Sequence, residues 1–182
     1  MNINIKDNVI PTDILKNCIK EAEASNNYGV LHGAGDGGYG FKYNWTFYDS
    51  CLTNPISFTN VCLLELWEKV KKELPTNIRL IRAYINAHTY GVEDAIHRDE
   101  KHIKNGFTVI IYLCNDWYPE WFGQTMFFES SDKHNNEIIQ SVIPKFNRML
   151  IFDKNIPHCV SPLSRKFVGI RLTCMFKVEL YD

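Results

Sequence analysis

Arg148-Met-Leu-Ile-Phe-Asp153 and His158-Cys-Val-Ser161, with Lys154-Asn-Ile-Pro157 between them, form the stretch on which the fold turns. Both flanking segments are short and apolar, bounded by turn-forming residues, and no helical pattern separates them. The same texture runs through the second half of the chain. Candidate strands lie at Ile78–His88, Phe107–Cys114, Gln124–Glu129, Glu137–Ile143 and Phe167–Val178, with a shorter one at Ala95–Asp99. About eight strands without intervening helices suit a double-sheet jelly roll and argue against a doubly wound parallel sheet, whose crossovers require helices.

Two helical patterns precede these strands. One follows Pro11-Thr12-Asp13 and places Ile14, Leu15, Cys18, Ile19 and Ala22 on one stripe. The other spans about Thr59 to Leu74, with Val61, Leu64, Trp67, Val70 and Leu74 at helical spacing and Pro75 as its stop. The expected fold is mainly β (α+β), with both helices packed on the larger sheet. The expected organisation is one domain over residues 1–182, with helical support over about 1–76 and the β core over about 77–182.

Composition narrows the function. Of 182 residues, 45% are hydrophobic, enough to build a core and exclude general disorder. A formal charge of −1 provides no broad cationic surface, so no nucleic-acid partner is expected. The N-terminus lacks a cationic stretch followed by an apolar one, and the longest strongly apolar run is Val109–Cys114; neither a signal peptide nor a membrane span is expected. The six cysteines form no C-x-x-C pair and fit the packed, reduced thiols of a cytoplasmic protein.

Gly33-Ala-Gly-Asp-Gly-Gly38 fits the dinucleotide fingerprint by letter, but an alternating aromatic strand follows where a helix is required. In that strand Tyr39, Phe41, Tyr43, Trp45 and Phe47 share one face, either as core or as a lid over a cleft.

His97-Arg-Asp99 presents an imidazole and a carboxylate on the same side of an extended segment, half of a non-heme iron site. Alone, such a pair is also a common surface feature. His158, at the head of the strand quoted first, supplies a second imidazole, and two imidazoles with one carboxylate can occupy one face of an iron atom. On the last strand Arg171 and Thr173 share a face with Met175 and Lys177. A buried arginine needs an anion, and its planar fork matches a carboxylate.

These residues together resemble the iron(II)- and 2-oxoglutarate-dependent oxygenases, specifically their prolyl 4-hydroxylase-like branch. The resemblance covers about Ile78 to Lys177. It rests on His97-x-Asp99, Tyr112-Leu-Cys-Asn, Gly123-Gln-Thr125-x-Phe127, Asn147-Arg-Met-Leu-Ile-Phe152, Pro157-His158 and Arg171-x-Thr173. It implies a double-stranded β-helix, with iron(II) held by His97, Asp99 and His158. It further implies that 2-oxoglutarate pairs through its distal carboxylate with Arg171, assisted by Tyr112 and Thr173, with O2 as oxidant and ascorbate as an optional reductant.

Tyr84 and Asn86 share a face with Arg82 and His88. Tyr84 is placed among the candidate co-substrate-binding residues, with a satisfied polar ladder as the alternative. His88 and His102 lack a partner at ligand spacing and read as surface histidines. The chain departs from the family at Gln124-Thr125, where a second glycine and an acidic residue are common. Arg165 and Lys166 compete with Arg171 for the co-substrate, but they follow a serine- and proline-containing turn that reads as solvated. The implied activity is hydroxylation of an unactivated C–H bond with formation of succinate and CO2. A prolyl residue of a peptide or protein is the favoured substrate. A free amino acid or other small metabolite is the alternative, and a non-catalytic metal-binding jelly-roll module is the reading from another class.

Overall fold

The computed structural model describes residues 3–24, 28–32, 39–43, 47–48, 61–91, 94–99, 104–132 and 136–181. The alternation of the strand patterns produces a six-stranded antiparallel major sheet, ordered β1 (Ile3–Asp7), β9 (Arg148–Asp153), β6 (Gly106–Tyr112), β11 (Arg171–Leu180), β5 (Ile78–His88) and β4 (Phe47–Tyr48). Facing it, β10 (His158–Val160), β7 (Thr125–Phe128) and β8 (Ile138–Val142) form a three-stranded minor sheet. A bridge between His97 and His158 adds the segment around His97 to that sheet's edge. The strands β2 (Tyr28–His32) and β3 (Tyr39–Tyr43) pair as a two-stranded sheet of their own, with β3 lying near β5.

Each long strand of the major sheet separates two environments by its period of two. On the outer face Ile85, Val109, Ile111, Met149, Cys174 and Phe176 are buried under the helices α1 (Thr12–Ala24) and α2 (Val61–Val70). On the inner face Tyr84, Ile110, Tyr112, Leu150, Phe152 and Met175 meet Phe127 and Val142 of the minor sheet. The mainly β double-stranded architecture with helices on the larger sheet is thus as expected.

In α1 the stripe Ile14, Leu15, Cys18 and Ala22 is buried, as its spacing predicts. In α2 the buried side chains are Cys62, Leu63, Leu66 and Val70, whereas Leu64 is 39% exposed, so the core-facing stripe is rotated from the one predicted. Both sets have helical spacing; Trp67 of the predicted stripe still packs on the core, its ring 5.5 Å from that of Phe176, but only partly buried, while Leu63 and Leu66 take the fully buried positions. Lys71–Glu73 tighten into a 3-10 turn before Pro75.

Strand β1 was not expected from its short, mostly polar sequence. It is held at the sheet edge by pairing with β9 and by Asp7, whose carboxylate accepts from Arg148 Nε at 2.8 Å and from Lys145 Nζ at 2.7 Å. Asn147, at φ 59°, closes the same corner: its Nδ2 donates to Ile10 O at 2.7 Å and its Oδ1 accepts from Ile10 N at 3.2 Å. The Gly33–Gly38 stretch, Cys51, His102 and the rings of the aromatic stripe at 39–47 lie outside the described residues. No described helix is long and apolar enough to cross a membrane.

Candidate active site

Strand register sets the inner face of the major sheet in rows. Across β5, β11 and β6, with β11 in the middle, the rows run His88–Arg171, Asn86–Thr173–Tyr112, Tyr84–Met175–Ile110 and Arg82–Lys177–Thr108. Directly opposed residues of an antiparallel pair project to the same side, so these polar groups point together toward the minor sheet. From that sheet His158 and Thr125 point back, and the bridged segment brings His97 and Asp99.

His97, Asp99 and His158 converge: one possible ligand atom from each lies within 4.8 Å of the others. Asp99 Oδ1 is 3.6 Å from His97 Nε2, and Asp99 Oδ2 is 3.3 Å from His158 Nε2. Each imidazole donates from Nδ1 to the carbonyl two residues before it, His97 to Ala95 O at 2.8 Å and His158 to Ile156 O at 2.9 Å. That bond makes Nδ1 the donor and turns Nε2 toward Asp99, so Nε2 is the nitrogen each ring would offer to a metal. Two neutral imidazole nitrogens and a carboxylate oxygen on one side fit a divalent transition metal of the non-heme iron type.

Asp99 is 8% exposed. Burial pushes its carboxyl up, but Lys177 and the two histidines outweigh that and hold it well below the usual carboxylate range. Thr108 Oγ1 donates to Asp99 Oδ2 at 2.6 Å, and Lys177 Nζ donates to the same oxygen. For His97, burial favours the neutral ring, yet Asp99 and Asp94 prevail and raise its pKa. Lys177, only 2% exposed, appeared in the sequence merely as a member of a strand face. Its partner lies 78 positions away in the chain and becomes visible only through register.

One cavity joins this cluster to Arg171. His97, His158, Tyr84, Asn86, Thr173 and Arg171 all line it. A larger hollow of about 620 Å³ opens beside Pro75, Phe107 and Ile151, but no histidine or arginine lines it, and the chemistry lies in the smaller cavity. Arg171 is 1% exposed. Its Nε donates to Gly123 O at 2.8 Å, its Nη2 to Thr125 Oγ1 at 3.4 Å and its Nη1 to His88 Nδ1 at 3.4 Å. No carboxylate pairs with it among the described residues. Gly123 has φ +70°, and a Cβ there would lie 2.7 Å from Leu163 Cδ2 and 3.2 Å from Arg171 Cδ, so glycine is what lets the carbonyl approach the guanidinium.

The hydroxyl of Tyr112 shares a 2.6 Å hydrogen bond with Thr125 Oγ1, and Arg171 lies 5.2 Å from the Tyr112 ring centroid. Thr125, which the sequence offered only within a longer motif, is therefore the link between tyrosine and arginine. Tyr84 stands lower in the cavity, with Arg82 4.3 Å and Lys177 Nζ 5.9 Å from its ring centroid. His88 is buried rather than a surface residue, because the parity of β5 turns it inward beside Arg171. Arg165 is exposed and donates to Tyr90 OH at 3.2 Å, while Trp117 and Trp121 pack on Phe167 at 4.9 and 5.2 Å.

The family model of the 2OG-Fe(II) oxygenase superfamily matches residues 83–177. The chain belongs to that superfamily. The match takes in the whole minor sheet, the strands β6 and β9, most of β5 and β11, and every residue of the cavity named above, while β1 and β4 of this oxygenase lie outside it. No curated protein is a significant sequence match. Among solved structures, a Pseudomonas putida prolyl-4-hydroxylase is similar with a TM-score of 0.66 at 13% identity, over 99% of this oxygenase and 93% of that chain. A Trichoplax adhaerens prolyl hydroxylase in complex with a hypoxia-inducible-factor peptide fragment follows at 0.62 and 17%, over 97% and 83%. HygX from Streptomyces hygroscopicus, with nickel and 2-oxoglutarate bound, gives 0.61 and 13%, over 98% and 82%. At these identities the likeness is one of fold. Membership of the superfamily makes the chain a dioxygenase that uses iron(II) and 2-oxoglutarate.

Proposed function

We propose that this oxygenase is a hydroxylase in which His97, Asp99 and His158 hold the iron and Arg171 holds the distal carboxylate of 2-oxoglutarate. The observation that carries the reading is a buried guanidinium without a carboxylate partner among the described residues, in the same cavity as a two-histidine, one-carboxylate cluster. A buried cation is costly until an anion meets it, and a planar dicarboxylate end supplies that anion in the geometry the fork prefers. Bound iron(II) supplies the oxidising chemistry, in which O2 is consumed, 2-oxoglutarate becomes succinate and CO2, and a C–H bond of the substrate becomes C–OH.

The protein's share is placement. His97, Asp99 and His158 would hold the metal from one side, which would leave its other side to the co-substrate and O2. Arg171 and Thr173 fix the far end of the dicarboxylate, and Tyr112, fully buried behind the cavity lining, backs them through its hydrogen bond to Thr125 and its ring 5.2 Å from the guanidinium. Tyr84 is about 13 Å from Arg171 along the strands, one row beyond Thr173, and so borders the metal end rather than the distal carboxylate. Ile110 and Met175 complete apolar walls that limit water near the reacting atoms.

The favoured substrate is a prolyl residue of a peptide or protein, supported by the fold's likeness to prolyl hydroxylases, one of them in complex with a peptide. The test is 2-oxoglutarate turnover in iron(II) and ascorbate, followed as succinate by NMR, with and without proline-containing peptides and free amino acids. Asp99→Ala and His158→Ala should abolish succinate formation. Unchanged turnover in either would contradict the ligand assignment, and a wild-type protein that binds metal without any turnover would favour the binding-module reading. Stimulation by free amino acids but not by peptides would move the substrate to the small-molecule class.

A further inference from the structure

We propose that Lys177 is a positioning residue: with Thr108 it occupies one oxygen of Asp99 and leaves the other as the single carboxylate donor to the metal. The inference rests on Asp99 being a ligand, as argued above. Lys177 and Thr108 face each other across β11 and β6, and both donate to the same atom, Asp99 Oδ2, the hydroxyl at 2.6 Å. Lys177 Nζ and Thr108 Oγ1 are themselves 3.4 Å apart, so the three groups form a closed triangle. A carboxylate oxygen has two strong acceptor directions, and two donors occupy both. Both oxygens stand near an imidazole, Oδ2 3.3 Å from His158 Nε2 and Oδ1 3.6 Å from His97 Nε2, but only Oδ2 carries the two donors, and Oδ1 accepts from neither of them.

The arrangement matters because a carboxylate with both oxygens available can chelate a cation. Chelation by Asp99 would take one of the positions that a facial set of three ligands leaves open, and the co-substrate and O2 need those positions. A lysine free to reach into the cavity could instead touch substrate, but Lys177 Nζ is directed to Asp99 Oδ2 and Thr108 Oγ1. Its 2% exposure and its contacts place it behind the ligand, acting through Asp99.

The test loads wild type, Lys177→Met and Thr108→Val with Mn(II) and counts exchangeable waters by proton relaxation, with the visible spectrum of the Co(II)-loaded proteins as a second readout. Wild type should keep about three waters on Mn(II), and Lys177→Met one fewer, with a shifted Co(II) spectrum. Thr108→Val should shift the Co(II) spectrum in the same direction by a smaller amount. A folded Lys177→Met with the wild-type water count and spectrum would overturn the proposal, as would one that binds Mn(II) at least ten-fold more weakly with unchanged hydration, since that describes a purely stabilising lysine. If Lys177→Met does not fold, an unchanged Co(II) spectrum in Thr108→Val overturns it equally. Failure of wild type to take up either metal would instead remove the ligand assignment on which the proposal stands.

Discussion

Replacing Arg171 with methionine separates a co-substrate clamp from a core residue, because the two roles move ligand binding and stability differently. In the free protein the change removes a buried cation that has no carboxylate partner among the described residues, which is favourable. It also strands Gly123 O, which now accepts from Arg171 Nε at 2.8 Å, at a cost of about 1–3 kcal/mol. These effects oppose each other, so the melting temperature of the ligand-free variant should change little. Binding is affected in one direction only. Two charge-assisted hydrogen bonds at a lower value of about 1.5 kcal/mol each give about 3 kcal/mol, or roughly 100-fold in Kd for 2-oxoglutarate. The assay is thermal unfolding in Mn(II) with 2-oxoglutarate at a hundred times the wild-type Kd. Such saturation stabilises by about 2.7 kcal/mol, which for a chain of this size raises Tm by roughly 5–10 °C. At the same concentration the variant is half saturated, and its shift falls to about 1 °C. A wild-type shift in Arg171→Met would refute the clamp. Loss of the shift in Arg165→Ala, whose arginine is exposed, would show that the wrong guanidinium was chosen.

Gly123→Ala should raise the 2-oxoglutarate concentration required for turnover by ten-fold or more with a smaller effect on the maximal rate, because its Cβ would meet Leu163 and Arg171 at a backbone angle unfavourable to alanine; steady-state kinetics decide. Asn147→Ala removes both side-chain bonds to Ile10 and places alanine at positive φ, so urea unfolding should show a loss of about 2–4 kcal/mol without a change in ligand affinity. Asp7 is held far below its ordinary 3.8 by Arg148 and Lys145, so its contribution to stability is complete above about pH 4 and declines as pH falls further. Asp7→Asn should therefore flatten the stability curve between about pH 4 and 2, and an acid limb as steep as wild type would show that the pair on β1 is silent.

The sequence made the chemistry more legible than the packing. His97 and Asp99 are read from spacing, because residues two apart in an extended chain share a side, and Arg171 is singled out by its parity with Thr173. The grip on Asp99 was hidden, since it depends on which residue of β6 lies opposite Lys177, and register is a property of paired strands. The same limit applies to His88, whose inward direction follows from β5 but whose neighbour Arg171 belongs to β11. In α2 two stripes of apolar residues satisfy the helical period, and only the docked surface distinguishes Leu64 from Leu63. Strand β1, with two isoleucines in five residues, carries too little alternation to stand out until β9 pairs with it.

Both imidazoles borrow their acceptor from the main chain rather than from another side chain. A peptide oxygen is present whatever residue occupies positions 95 and 156, so ordinary substitutions there cannot delete the group that orients each ring. Genetic drift can therefore alter the surroundings of these histidines extensively while the lone pairs that face the metal keep their direction.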